Sequence, residues 1–415
     1  MNYRLLADNC QIDNDTWKTG LNNNDLIIGP SGAGKTRGYV IPNILQCTES
    51  MVITDTKGAL SSQVSDTLIR DGYTVHELNL TDCRRSTIGY NPLLFIRCDQ
   101  GHYNEQDILR VSACLVPVEI RSDPFWDYAA RMLLEALIGY VLDCQPRNEH
   151  TLDSVVMLLS ETGGKLAGKL LDEYAEIAPD SFAALRWKLY RSMAAADKTT
   201  ACIQGILCEK LSPLTFDGVS DLFNRRNQLD FASLGQYKTA LFLTISDTDR
   251  SLDRLAALVY AQAIQALCIE ADRSWDHRLT IPVRFYLDDF ASNAVIPDFD
   301  KTISIIRSRE ISVSIIIQSL SQLESLYTHA QAITILTNCD NMIYLGGQDV
   351  ETAKYVSVKA NKPVSSILNM PLNDAWLFTR GKTPQQVRKY NLMNHPSYQT
   401  LPEAQPAYDE DIEPF

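Results

Sequence analysis

No stretch of this 415-residue chain approaches the run of about 18 apolar residues that a membrane-spanning helix needs. Its most apolar segments, such as Ile311 to Ile317, are only strand-length. The first residues, Met1-Asn2-Tyr3-Arg4, lack the apolar region of a secretory signal. A cytoplasmic location is the expectation. The ten cysteines show no Cys-x-x-Cys spacing and no paired rhythm, so reduced thiols are expected. The six histidines have no ligand spacing, which speaks against structural zinc. Internal repeats and low-complexity tracts are missing too. Acidic residues outnumber basic ones, 51 to 38, for a net charge of −13. That argues against coating duplex nucleic acid over the whole surface, while leaving room for a local basic channel.

What is present is ordinary globular composition, 45% hydrophobic and 21% charged. The length implies two or three domains, or one large core with an insertion. Short β-type runs alternate with helical stretches at both ends of the chain. Strands are expected at Leu26 to Gly29, Met51 to Asp55 and Thr74 to Leu78, with helices at Lys35 to Gln46 and Ala59 to Arg70. The alternation returns with strands at Thr239 to Ile245, Val283 to Leu287, Ile311 to Ile317, Met342 to Leu345 and Ala375 to Thr379. Helices are expected between them at Leu252 to Ile269, Phe299 to Arg309, Gln322 to Thr337 and Val350 to Val358. Such alternation is the pattern of a parallel sheet covered by helices, an α/β fold.

From 105 to 230 strand runs nearly vanish and helical periodicity takes over, as in Asp127 to Leu142 and Ser181 to Leu211. An all-α insertion follows, dividing an α/β domain into 1–104 and 231–396. Residues 397–415, with Asp409, Glu410, Asp411 and Glu413, are expected to be an acidic mobile tail.

Gly29 to Thr36 reads Gly-Pro-Ser-Gly-Ala-Gly-Lys-Thr, a complete GxxxxGK[ST] phosphate-binding loop. It follows the apolar Leu26-Ile27-Ile28 and precedes a helical segment. Backbone N–H groups of Gly29, Ser31, Gly32, Ala33, Gly34, Lys35 and Thr36 can then converge on phosphate. Lys35 reaches the β- and γ-phosphates, and the Thr36 hydroxyl joins a Mg²⁺ shell. The expected ligand is a nucleoside triphosphate. Asn361-Lys362-Pro363 is followed by Val364, so no Asn-Lys-x-Asp guanine signature is formed and ATP is the default.

Such a loop requires a hydrophobic strand ending in acids, and Phe285-Tyr286-Leu287-Asp288-Asp289 supplies one. Asp288 would hold Mg²⁺ through water, and Asp289 would orient or deprotonate the attacking water. Gln318 at the end of the next strand can contact the γ-phosphate from the same edge as Lys35. Arg307 and Arg309 could act across a subunit boundary, or serve as solvated residues at a helix C-terminus. Arg186, Lys188, Arg191 and Arg225-Arg226 could touch nucleic acid, although solvated helix faces explain them as well.

Several strings in order give the chain a resemblance to the TraG-like conjugative coupling proteins of type IV secretion systems. Besides the loop with Val40-Ile41-Pro42-Asn43, these are Thr54-Asp55-Thr56-Lys57-Gly58, Tyr90-Asn91-Pro92-Leu93 and Asp123-Pro124-Phe125-Trp126. Ile296-Pro297-Asp298-Phe299, Arg307-Ser308-Arg309, Gln318-Ser319, Asn338-Cys339-Asp340 and Leu345-Gly346-Gly347-Gln348-Asp349 follow. The likeness runs from about Asp25 to Asn394.

The resemblance implies a RecA-like P-loop NTPase domain with an inserted all-α domain, using ATP and Mg²⁺. It implies a homo-oligomeric, hexameric ring around DNA, with the isolated chain a plausible monomer. Relaxase or relaxosome proteins and a type IV secretion channel are the implied partners. By the family pattern Lys35, Thr36 and Asp288 bind nucleotide and Mg²⁺, Asp289 is the catalytic acid, Arg307 a trans-acting finger and Gln318 the γ-phosphate sensor. Two departures stand out. Asp289 replaces the family's usual Glu, and no transmembrane helices precede the loop, so the chain is either the soluble part of a longer anchored protein or a natural soluble form that relies on a separate membrane partner, recruited in either case to the inner face of the membrane.

Overall fold

The structure, a computed structural model, describes residues 2–56, 58–118, 123–161, 165–194, 196–290 and 295–404. Lys57, the Gly163-Gly164 breaker and the acids of 405–415 lie outside the described residues.

A hairpin of β1 (Tyr3–Ala7) and β2 (Cys10–Asp13) precedes β3 (Asp25–Ile28), β4 (Ser50–Asp55) and β5 (Thr74–Asn79). A minimal hairpin of β6 (Cys98–Asp99) and β7 (His102–Tyr103) follows. The sheet then resumes with β8 (Thr239–Thr244), β9 (Val283–Leu287), β10 (Ile311–Ile317), β11 (Asn341–Tyr344), β12 (Asp374–Thr379) and β13 (Gln385–Arg388). Nine strands form one sheet in the order β13-β12-β11-β3-β10-β9-β4-β8-β5. The strands from β11 to β5 are parallel, while β12 and β13 run antiparallel at one flank. The central strands are buried along their whole length, which is why they read as unbroken apolar runs. Parallel strands all end at the same edge, so the loops after β3, β9, β10 and β11 gather there.

The opposite end of the central strands is locked by buried charge. The Asp25 carboxylate at the start of β3 accepts from Arg4 Nε at 2.8 Å, Tyr39 Oη at 2.6 Å and Asn341 Nδ2 at 2.9 Å. Arg284 of β9 lies 3.5 Å from Asp25, pairs with Glu49, and donates to Ser314 Oγ of β10 at 3.1 Å. Arg4, Asp25 and Arg284 are essentially sealed from solvent. Such pairs contribute little against apolar substitutes, but losing one partner leaves a buried charge uncompensated. The network therefore fixes the register of β3, β9, β10 and β11 relative to one another.

Between β7 and β8 the described chain adds no strand to the main sheet and is dominated by helices, including Pro124–Cys144, Phe182–Met193 and Asp197–Leu211. Asp123 caps the first of these through its side chain, with Pro124 at the first helical position, so the Asp-Pro pair is a helix-start signal. Its buried face, with Leu133, Leu134, Leu137 and Ile138, joins Trp187, Ile203 and Leu207 in a core continuous with one face of the sheet. A separate cluster, including Tyr39, Ile44, Val64 and Leu68, covers the other face. The helix Asp253–Arg273 is long and apolar enough in composition to cross a membrane, yet most of it is buried in the core.

Five features differ from the sequence expectation. The helix after the loop is not uniform: Thr36–Val40 winds as a π-turn before Ile41–Ile44. Pro42 explains it, because in a regular helix its ring would meet the Gly38 carbonyl. Ser181 to Leu211 splits near Ala194, and Gln322 to Thr337 splits into Leu320–Leu326 and His329–Thr337. The second split is set by a capping box of Thr328 and Gln331. Phe299–Ile305 ends earlier than Arg309 because Arg307–Arg309 tightens into a 3₁₀ turn closed by left-handed Glu310, φ 60°. Finally, residues 397–404 pack rather than trail away: Leu401 is buried, Thr400 bonds Thr67, and Glu403 pairs with Arg37.

Candidate nucleotide and metal site

β3 runs between β11 and β10 and delivers the Gly29–Thr36 loop to the C-terminal edge of the sheet. Gly29 is held between neighbours, its N–H donating to Ile317 O at 3.1 Å and so, against the sequence expectation, serving the sheet and not a phosphate, while Leu345 N–H donates to Ile28 O at 2.8 Å. A Cβ at Gly29 would lie 2.9 Å from Leu345 Cβ and 3.0 Å from Ala33 Cβ, so no larger residue fits without a shift. Gly32 and Gly34 take φ of +76° and +89°, the left-handed region that aims successive N–H groups inward. The first helical turn that follows leaves its N–H groups without intrahelical acceptors, a natural anion site.

Lys35 is buried against its own loop, with Nζ donating to Gly29 O at 2.8 Å and Pro30 O at 3.1 Å. An ammonium has three donors, so one remains for phosphate. Thr36 Oγ1 donates to Asp288 Oδ2 at 3.3 Å, joining the loop to the end of β9 across the intervening strand β10. Asp288 is buried and also accepts the Asp289 N–H at 3.0 Å. Burial pushes its carboxyl up to about 6, helped by the Asp289 charge and opposed by Lys35, that N–H and Thr36. A hydroxyl beside a carboxylate is a hard oxygen donor set that fits Mg²⁺, and a cation's charge would reverse the upward shift.

Asp289 follows with φ +48°, a strained conformation for a non-glycine residue. It turns its carboxylate toward the end of β10, where Gln318 Nε2 donates to Oδ1 at 3.3 Å. Gln318 is exposed, its own N–H taken by Gln322 Oε1 at 3.1 Å. Lys35, Thr36, Asp288, Asp289 and Gln318 thus converge at one edge. The set offers a cation for phosphate, oxygen ligands for a metal, an acceptor for a water proton and an amide that can hold an oxygen.

Arg307 is elsewhere. It is exposed before β10, whereas Gln318 follows β10, and seven residues of strand separate the two edges by about 20 Å. Within one chain it does not reach the site. Arg309 is engaged by Asp272 through two bonds of 2.9 and 3.0 Å. Two of the other arginines also have internal work: Arg186 pairs with Glu135 at 3.3 Å, and Arg225 donates to the carbonyls of Cys83, Arg84 and Ser86.

One contact has no signal in the sequence. Lys389, just past β13, donates from Nζ to Ala33 O at 2.9 Å, tying the chain's far end to the phosphate loop. Only the β12–β13 hairpin brings it there.

The family model described as "Type IV secretory system Conjugative DNA transfer" matches residues 4–362. VirD4 of Rhizobium radiobacter is 27% identical over 335 residues, 80% of this chain and 47% of that protein. VirD4 of Agrobacterium fabrum is 25% identical over 333 residues, 80% and 48% of the two chains. The chain thus spans about half the length of the curated relatives it matches. Among solved structures, the bacterial conjugative coupling protein TrwBdeltaN70 with sulphate has a TM-score of 0.67 at 17% identity, covering 89% of this chain and 86% of that one. TrwB with the ATP analogue ADPNP has a TM-score of 0.66 at 16% identity, covering 89% and 85%. The fold is accordingly that of a RecA-like P-loop NTPase carrying a helical segment. With the phosphate loop, the paired acids and a family match over most of its length, the chain belongs to the type IV secretory system conjugative DNA transfer family.

Proposed function

We propose that this chain is an ATP-binding and ATP-hydrolysing coupling protein that recruits a DNA–relaxase substrate and drives it into a conjugative channel. The observation that carries the reading is the meeting of Lys35, Thr36, Asp288, Asp289 and Gln318 at one sheet edge in a chain of this family. Relatives of the same fold have been solved with ADPNP and with ADP and Mg²⁺.

In this reading Ser31, Gly32 and Gly34 cradle phosphate through backbone N–H groups, the Ala33 N–H being donated to Pro30 O at 3.2 Å, and Lys35 neutralises the β- and γ-phosphates. Thr36 and Asp288 would hold a hydrated Mg²⁺, which when bound offsets the charge developing on the transferred phosphoryl group. Asp289 accepts the proton of the attacking water, and Gln318 fixes that water or a γ-phosphate oxygen. Arg307 lies too far to act in its own chain, which supports its use by the site of a neighbouring copy in a ring. DNA would be held through its phosphates with weak sequence preference. Residues 105–230 form the all-α domain that selects cargo, and a membrane partner places the assembly at the inner face of the membrane.

A second reading, a nucleotide-gated docking receptor with little pumping, is favoured by Asp289. Its carboxylate is one methylene shorter than glutamate and is tied to Gln318. ATP turnover with and without single-stranded and duplex DNA, beside Lys35→Ala, separates the two. DNA-stimulated turnover that vanishes in Lys35→Ala is expected. Tight ATP binding with negligible turnover under every condition would leave only the receptor.

A further inference from the structure

Arg307 stands in the short turn Arg307–Arg309, between the helix Phe299–Ile305 and β10. Its guanidinium is exposed and, among the described residues, forms no hydrogen bond or ion pair. Such a long side chain must be ordered when it binds, so the backbone beneath it has to be fixed beforehand.

That backbone is gripped on both flanks. Ile306 before Arg307 and Ile311 at the start of β10 are buried. Arg309 folds back, donating from Nη1 to Ile305 O at 3.2 Å. Its Nε and Nη2 donate to the two carboxylate oxygens of Asp272 at 2.9 and 3.0 Å. Glu310 closes the turn at φ 60°, and its carboxylate pairs with Arg278 at 3.2 Å. Of residues 306–311, only Arg307 and Ser308 are left exposed.

Asp272 belongs to the last turn of the helix Asp253–Arg273, most of which is buried in the core. Its charge lies at the negative end of the helix dipole, where an acid is unfavourable by itself. The Arg309 guanidinium offsets that charge, and a planar fork on two oxygens fixes orientation as well as distance. Because the pair is partly exposed, it adds little to stability. Its consequence is geometric: the turn that carries Arg307 is tied to a core helix.

We propose that Asp272 and Arg309 are positioning residues for Arg307, holding the turn that presents its guanidinium to the nucleotide site of a neighbouring copy. The proposal rests on the trans-acting reading of Arg307. DNA-stimulated ATP turnover of the full chain, with ATP affinity measured beside it, tests the pair. A shift of about 1 Å in a stabilising group can slow a reaction about a hundredfold. Asp272→Ala should therefore lower kcat at least about tenfold while ATP affinity stays within about twofold, because the loop and its acids are untouched. Arg309→Lys keeps the charge but loses the fork, and should fall between Asp272→Ala and the unaltered chain.

Mixing separates positioning from general damage. Asp272→Ala subunits keep an intact phosphate loop, so Lys35→Ala subunits should restore turnover by lending a well-held arginine. Arg307→Ala subunits should restore none. Unchanged turnover in Asp272→Ala, a matching loss of ATP affinity, or a defect that Lys35→Ala subunits cannot relieve although they relieve Arg307→Ala, overturns the positioning role alone. Full turnover in Arg307→Ala, or none in the unaltered chain, overturns the trans-acting arginine and this role with it.

Discussion

Asp288 carries a tension that can be measured without any nucleotide. Its folded-state value, about 6, lies above the ordinary carboxylate range. The folded protein therefore binds this proton more tightly than the unfolded chain, and the contribution to stability falls as pH rises from about 4 through about 6. Asp288→Asn should raise the stability of the nucleotide-free protein at pH 7.5 by up to about 2 kcal/mol and flatten that pH dependence, read by thermal or urea unfolding. The same variant should lose Mg²⁺-dependent ATP binding. At the neighbouring position, Asp289→Glu restores the missing methylene and should raise turnover several-fold with little change in ATP affinity. A fall in turnover would show that the left-handed backbone and the Gln318 contact are tuned to the shorter side chain.

At the scale of elements, the central strands depend on the buried charges at their starting edge. Burial alone would raise the Asp25 carboxyl, but the Arg4 and Arg284 charges, with the Arg4 and Tyr39 hydrogen bonds, hold it below its usual range. Its stabilising contribution is complete above about pH 4 and is lost as pH falls through its lowered folded value. Arg4→Ala should cost about 3–5 kcal/mol in urea unfolding, because Asp25 then loses a partner inside the core. Gly29→Ala should cost both stability and ATP affinity, since its Cβ would press on Leu345 and Ala33. These elements differ in how far the sequence reveals them. Val283–Leu287 and Ile311–Ile317 are legible because a strand buried on both faces must be apolar nearly throughout. The phosphate loop and its acids are legible because their chemistry is local. The edge strand Gln385–Arg388 is polar and largely exposed, and its pairing with β12 is invisible in composition. Lys389 is silent for a related reason: its partner Ala33 is 356 residues away. The Thr328–Gln331 capping box, by contrast, is readable as a helix start inside what looks like one long helix.

For the whole molecule, the sheet places its phosphate-binding loop and Arg307 at opposite edges. The proposed ring of identical subunits would bring these two edges together, each copy lending its arginine to the next. The most direct measurement is DNA-stimulated ATP turnover by Lys35→Ala and Arg307→Ala proteins, separately and mixed. Each alone should be inactive, Arg307→Ala should keep its ATP affinity, and mixing should restore turnover by pairing an intact loop with an intact arginine. Full activity of Arg307→Ala alone, or no recovery at any mixing ratio, would contradict a site completed by a neighbouring subunit.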